Sequence, residues 1–98
     1  MKVRAEVEAR PTWTFLTNHA HVLIAVAADP EARVRDIADR VGITERAVQG
    51  ILDDLDRGGY LERERVGRRN HYTLREGGRF RHPAEQGHAI DELLRLFR

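Results

Sequence analysis

Apolar positions along the chain recur mostly at helical spacing, with one strand-like stretch in the second half. Residues 12–28 carry apolar side chains three and four positions apart, which predicts one or two helical pieces that end at Asp29-Pro30. Either Thr17 or Asn18 can cap the second piece, because its side chain can accept from unpaired backbone N–H groups. The predicted apolar face consists of Trp13, Leu16, Ala20, Leu23 and Ala27.

Two further helices follow in tandem. Residues 34–41 form a short amphipathic pattern, and Gly42 supplies the left-handed turn that ends it. Thr44 is a suitable N-cap for a second helix, which extends to about residue 57 and ends at the glycine pair 58–59. The predicted buried face of this second helix is Ala47, Val48, Ile51, Leu52 and Leu55.

The remaining pattern predicts a hairpin and a last helix. Residues 60–66 and 71–74 favour strands, and the basic turn 67–70 joins them into a β-hairpin. Pro83 favours the start of a helix over residues 84–97, with Ile90, Leu93, Leu94 and Phe97 on one face. The chain is thus predicted to be a tail, residues 1–11, and one domain, residues 12–98, with its core at about 20–75.

Composition narrows the class of protein. Hydrophobic residues make up 41% and charged residues 34% of the 98 residues, as in soluble globular domains. The absence of cysteine excludes a disulfide scaffold, a thiolate zinc site and a thiol nucleophile. The longest apolar run, residues 22–28, is far shorter than the roughly 20 residues of a membrane span. The first residues lack the apolar region of a signal peptide, so a cytoplasmic location is expected.

An enzyme is not expected either. The chain contains no serine and no glycine-rich phosphate loop, and its paired carboxylates fall on predicted solvent faces. No cofactor is expected.

Charge is distributed unevenly along the chain. Residues 63–82 contain seven arginines and two glutamates, a local charge of +5, whereas the rest of the chain carries −4. A one-sided cationic surface attracts polyanions, nucleic acids above all. The alternative is a solvated Arg/Glu face, because residues 62–65 alternate in sign.

The order of elements is helix, short helix, glycine turn, helix, basic hairpin and helix. Residues 34–49, VRDIADRVGITERAVQ, resemble a bacterial helix-turn-helix. Residues 51–63, ILDDLDRGGYLER, resemble a recognition helix, its glycine break and a first wing strand. The chain therefore resembles the winged helix-turn-helix superfamily, with MarR-like and ArsR-like repressors nearest. The implied fold is mainly α with a small β-hairpin and flanking N- and C-terminal helices.

The resemblance implies a sequence-specific, double-stranded-DNA-binding transcriptional regulator of the bacterial or archaeal cytoplasm. Its recognition helix, residues 44–57, would enter the major groove, and its wing, residues 66–71, would contact the backbone or minor groove. Arg46 can donate two hydrogen bonds to guanine, and Gln49 can pair in the same way with adenine. The candidate DNA contacts are Arg35, Thr44, Glu45, Arg46, Gln49, Arg68, Arg69 and Asn70. The alternative for Thr44 is that it only caps the helix. The alternative for the other side chains is that they are solvated and contact no DNA.

Two features of the recognition helix weaken the expected affinity for DNA. Gly50 lies in its middle and costs about 1 kcal/mol relative to alanine. Asp53, Asp54 and Asp56 make its later half acidic. We therefore expect modest affinity, or a helix that enters the groove with its first turn only.

In MarR-like and ArsR-like repressors the flanking helices pair two subunits, so the resemblance implies a homodimer. A twofold dimer would place its recognition helices about 34 Å apart and prefer a pseudo-palindromic operator. Leu96 and Phe97 would be exposed in a monomer, although the alternative is that they fold back on their own core. The candidate interface residues are Trp13, Phe15, Leu16, Ile90, Leu93, Leu94, Leu96 and Phe97.

Two other functions compete with this one. His82, His88 and Asp91 are faintly similar to the last-helix ligands of ArsR-like zinc sensors, and His19 and His21 would join them only across a dimer. A His/carboxylate metal-sensing repressor is therefore an alternative, although no metal is expected. The other alternative is a winged-helix module that binds a protein partner without specific DNA binding. A small-molecule effector stays unidentified.

Overall fold

The computed structural model describes residues 10–98, so the predicted tail lies almost wholly outside the described residues. The architecture is mainly helical with one two-stranded antiparallel sheet, as predicted. In chain order the elements are α1 (Asn18–Ala28), α2 (Val34–Val41), α3 (Glu45–Arg57), β1 (Leu61–Val66), β2 (Arg69–Leu74) and α4 (Ile90–Leu96).

The first helix begins later than its apolar spacing predicts. Thr17 Oγ1 accepts from the Ala20 amide at 3.2 Å and caps α1. Trp13 and Leu16 therefore precede the helix, and their predicted place on its apolar face is wrong. Because α1 packs against both α2 and α3, its buried surface is broader than a single stripe. The buried residues of α1 are Val22, Leu23, Ala25 and Val26.

The helix-turn-helix forms as predicted. Gly42 ends α2 in the left-handed conformation at φ 86°, and its amide donates to the Ala38 carbonyl at 2.7 Å. Thr44 Oγ1 then accepts from the Ala47 amide at 3.0 Å and caps α3. The prediction that Ala47 is buried is wrong. It lies about 100° around the helix from buried Val48, which turns it toward solvent.

The hairpin has a tighter turn than the sequence predicts. The register runs from Leu61 opposite Leu74 to Val66 opposite Arg69, so only residues 67–68 form the turn. Gly67 takes φ 64° there, a conformation that a two-residue hairpin requires and that glycine adopts without strain. Arg69 and Asn70 therefore belong to β2 rather than to the loop.

One core joins the three helices, the hairpin and the last helix. Leu61 and Tyr72 bring the hairpin into this core, and the Tyr72 amide donates to the Pro30 carbonyl at 2.9 Å. Leu94 adds α4. The wing is consequently fixed at its base to the helix-turn-helix. The fully or almost fully buried core side chains are Val22, Val26, Ile37, Val48, Leu52, Leu61 and Tyr72.

The predicted helix over residues 84–97 is wrong in its first half. α4 begins at Ile90, and residues 82–88 form turns and bends. The Ala84 amide donates to His82 Nδ1 at 3.0 Å, and the Ile90 amide donates to the Gly78 carbonyl at 2.8 Å. These bonds give the backbone partners other than the carbonyl four residues earlier, so the helix starts only after them.

Within residues 10–98, no helix is both long enough and apolar enough to cross a membrane.

Candidate nucleic-acid interface

The first turn of α3 presents several of the predicted DNA contacts. Glu45, Arg46 and Gln49 are exposed, and no carboxylate within the described residues forms an ion pair with Arg46. Thr44 is also exposed, although its hydroxyl is committed to the cap. The cap leaves other amides of the first turn without helical partners, which favours an anion at this end. This end of α3 is suited to both a phosphate and a base edge.

The tip of the hairpin forms a second exposed cationic surface. Arg68 lies in the turn, and Arg69 opens β2 opposite Val66. Among residues 10–98 neither arginine has a carboxylate within ion-pair distance. Arg65 Nε donates to the Gly67 carbonyl at 3.3 Å and so supports the turn. Asn70 is only partly exposed opposite Arg65, which makes it a weaker candidate contact than its two neighbours.

Arg35 lies exposed in the first turn of α2. Its neighbour Arg33 pairs with Asp36 at 3.4 Å, whereas Arg35 has no ion-pair partner within the part of the chain that the structure describes. Arg35 can therefore contact a phosphate without first breaking an internal pair.

The aspartates in the later half of α3 contact side chains of other elements, which the sequence did not indicate. Asp54 Oδ2 lies 2.9 Å from His19 Nε2 of α1, and this hydrogen bond lowers the pKa of Asp54. Asp53 and Asp56 both contact Arg63 of β1, at 2.6 Å and 3.3 Å. Partial burial lowers the pKa of Arg63, but the hydrogen bonds to Asp53 and Asp56 raise it on balance. The aspartates thus face an imidazole from α1 and a guanidinium from β1.

A model of the MarR family matches residues 14–69, which is more than half of the chain and includes the helix-turn-helix and the turn of the hairpin. The chain belongs to the MarR family. Its fold is that of a MarR-family winged-helix transcription regulator. The predicted superfamily is therefore confirmed, and so is the resemblance to MarR-like repressors.

Two solved structures are similar to this MarR-family protein. The PcaV transcriptional regulator from Streptomyces coelicolor is 30% identical, with a TM-score of 0.52 over 59% of this chain and 45% of PcaV. PcaV in complex with its natural ligand is 29% identical, with a TM-score of 0.53 over 60% of this chain and 44% of that one. The match therefore spans less than half the length of PcaV. Among proteins with curated descriptions, none matches this sequence.

Four of the five histidines of this MarR-family protein, His19, His71, His82 and His88, lie within ion-pair distance of a carboxylate. His71 Nδ1 of β2 lies 3.5 Å from Glu31 Oε2 before α2. His88 Nδ1 lies 3.1 Å from Glu92 Oε1, and this hydrogen bond lowers the pKa of Glu92. Residues 10–98 contain no group of three or more His, Asp or Glu side chains arranged to hold a metal. The candidate ligands His82, His88 and Asp91 are thus not brought together.

The predicted dimer residues separate into three groups by exposure. Phe15 is 90% and Leu96 76% exposed, and Trp13 and Phe97 are also exposed. Leu94 instead lies in the core of its own protomer and is unavailable to a second copy. Leu16, Ile90 and Leu93 are partly buried. The exposed group is the one that a second copy can cover.

Proposed function

We propose that this MarR-family protein is a non-enzymatic, sequence-specific regulator of transcription that binds double-stranded DNA as a homodimer. The single observation that carries the proposal is the pairing of charges around α3. Arg46 at its start has no internal carboxylate partner among the described residues, whereas the aspartates of its later half are already paired. The helix therefore offers its cationic end, and not its acidic one, to a polyanion.

The side chains of each element suit it to a different part of the DNA. The first turn of α3 enters the major groove, where Arg46 donates to guanine and Gln49 pairs with adenine. Arg68 and Arg69 of the wing contact phosphates or the adjacent minor groove, and Arg35 contacts the backbone from α2. Base contacts supply sequence preference, and phosphate contacts supply affinity that falls with salt.

A homodimer follows from the exposed apolar side chains at the two ends of the chain. Phe15 is 90% and Leu96 is 76% exposed, and a second copy can remove this apolar area from water. A twofold pair would read a pseudo-palindromic operator with half-sites about one helical turn apart. The similar regulator PcaV has a natural ligand, and we extend the idea of a small-molecule effector to this chain.

The test is selection of duplexes from a random DNA pool at fixed salt, followed by a salt titration of the selected sequence. We expect an inverted repeat with half-sites about one turn apart. The Arg46→Ala variant should lose about 1–3 kcal/mol and relax its preference at one base pair. The Arg68→Gln variant should weaken binding to all sequences and lower the slope of log K against log salt by about 0.9.

The two variants control for each other, since each removes one arginine from a different element. An unchanged affinity and base preference in Arg46→Ala would show that α3 is not the recognition helix. Weak binding without enrichment of any sequence would favour the alternative, a winged-helix module with a protein partner.

A further inference from the structure

The later half of α3 faces a guanidinium from the wing. Asp53 and Asp56 are three residues apart, so they lie on one face of the helix. Arg63 Nη2 lies 2.6 Å from Asp53 Oδ1, and Arg63 Nε lies 3.3 Å from Asp56 Oδ2. One planar side chain thus joins two carboxylates, a geometry that a lysine ammonium does not reproduce.

The position of Arg63 in the hairpin explains why it reaches α3. Alternate residues of a strand share a face, so Arg63 points to the same side as Leu61, which is fully buried in the core. Its cross-strand partner Tyr72 is also buried. Only 30% of the Arg63 side chain is exposed, less than for Arg33 or Arg75 in their own ion pairs. The contact therefore lies at the edge of the core, where the hairpin meets α3.

The charge of these carboxylates matters for DNA. Asp53 follows Arg46 by seven residues, about 10 Å along the helix. This distance is close to the Debye length of roughly 10 Å at 0.1 M salt. Carboxylates at this separation repel the phosphates beside a groove that Arg46 enters, unless a cation offsets them.

We propose that Arg63 is a positioning residue for DNA binding: it locks the wing to α3 and offsets Asp53 and Asp56 without touching DNA. The inference rests on the proposed function, because it concerns how the same interface is assembled. It assigns to Arg63 a role different from that of Arg68 and Arg69, which contact phosphate. It also explains how a recognition helix with an acidic half binds a polyanion.

The experiment is a double-mutant cycle on the full chain, with affinity for the selected duplex measured over a range of salt concentrations. Arg63→Gln should weaken binding about fivefold near 0.1 M salt, because it leaves two carboxylates unpaired. The same substitution in the Asp53→Asn/Asp56→Asn background should change affinity by less than about twofold, since nothing is left for Arg63 to offset. Arg65→Gln is the matched control, because Arg65 lies two residues further along β1, donates to the Gly67 carbonyl and forms no ion pair with a carboxylate of residues 10–98.

The cycle separates this role from a direct phosphate contact. A direct contact would weaken binding equally in both backgrounds and lower the salt slope by about 0.9. Either that result or an unchanged affinity in Arg63→Gln would overturn the inference while leaving the proposed function intact. If the unsubstituted protein fails to bind any duplex, both fail together.

Circular dichroism shows whether each variant folds. If Arg63→Gln unfolds, Arg63→Lys tests the same point, because lysine keeps the charge but does not span both carboxylates. We expect binding about twofold weaker than that of the unsubstituted protein. Unchanged affinity in the lysine variant would overturn the role of the bridging geometry.

Discussion

Gly50 is the residue of α3 whose presence no packing contact explains. Apart from the backbone of its own helix, a Cβ added at this position meets no atom of residues 10–98 within 4 Å, and the residue is exposed in the middle of the helix. Glycine there costs backbone entropy without relieving a clash. Gly50→Ala should therefore stabilise the protein by about 1 kcal/mol, measured by denaturant unfolding.

Gly42 provides the opposite control for that measurement. Its φ of 86° is the left-handed conformation that a side chain strains. Gly42→Ala should destabilise the protein by about 1 kcal/mol or more. If both alanine variants shifted stability in the same direction, the helical assignment of Gly50 or the left-handed turn at Gly42 would be incorrect.

Asp54 gives the molecule a pH dependence with a defined sign. The hydrogen bond from His19 lowers its pKa below the ordinary value of 3.8, so the folded state favours the ionised carboxylate. The resulting stabilisation is present above pH 3.8 and is lost as the pH falls through the lowered pKa. Thermal unfolding should show Asp54→Asn less stable than the unsubstituted protein near neutrality, with the difference closing in acid.

The matched control for that titration is Asp39→Asn. Asp39 is exposed on α2 and has no ion-pair partner within the described residues. Its replacement removes one exposed carboxylate without removing a contact to histidine, so it controls for the loss of a negative charge. If the difference in stability between Asp54→Asn and the unsubstituted protein stayed constant down to strong acid, the role of the His19 contact would be contradicted.

Side-chain roles were predictable from the sequence where the signal was local. Thr44 and Gly42 carry out the capping and turn functions that their positions predict, because each acts within a few residues of itself. The role of Arg63 was not predictable, since it depends on how the hairpin packs on a helix seven to ten residues away. The alternation of sign at residues 62–65 indicated only a solvated face.

Helices and strands were likewise predictable where their signal is local in the sequence. The three helices and the hairpin carry strong periodicity with recognisable ends, and all of them form. The helix predicted to begin at Pro83 had a favourable first residue, yet it begins only at Ile90. The Ile90 amide bonds to the Gly78 carbonyl, and the Phe80 amide bonds to the His88 carbonyl at 3.1 Å. These partners lie eight to twelve residues apart, outside the range of a helical pattern.

The hydroxyl of Tyr60, the residue directly before β1, joins this irregular segment to the base of the hairpin. Tyr60 Oη donates to the Arg79 carbonyl, whereas Tyr72 Oη is buried without a hydrogen-bond partner among the described residues. Tyr60→Phe should lower the free energy of unfolding by about 1 kcal/mol and speed amide exchange over residues 79–90. Tyr72→Phe should cost nothing or stabilise the protein, because it removes an unsatisfied polar group.

Tyr72→Phe is the control for Tyr60→Phe, since both substitutions delete a single oxygen. Equal losses of stability in the two variants would indicate that the Arg79 contact does not hold the segment. Faster exchange confined to the hairpin in Tyr60→Phe would contradict the assignment in the same way.

At the scale of the whole molecule, the arginines proposed to contact DNA and the apolar side chains proposed to pair two copies lie on different parts of the chain. The start of α3 and the wing tip carry Arg46, Arg68 and Arg69, which form no ion pair within residues 10–98, whereas Phe15 and Leu96 are 90% and 76% exposed. In a twofold dimer each substitution acts twice, so removing about 1.5 kcal/mol of apolar burial per side chain raises the dissociation constant at least about a hundredfold. Leu96→Asp and Phe15→Asp should thus sediment as monomers at concentrations where the unsubstituted protein is a dimer, with a matching loss of affinity for the two-half-site duplex but not for one half-site. Val66→Asp changes an exposed apolar residue of β1 that is not a candidate interface residue, so this variant should still sediment as a dimer. An unsubstituted protein that is monomeric at every concentration would contradict the homodimer.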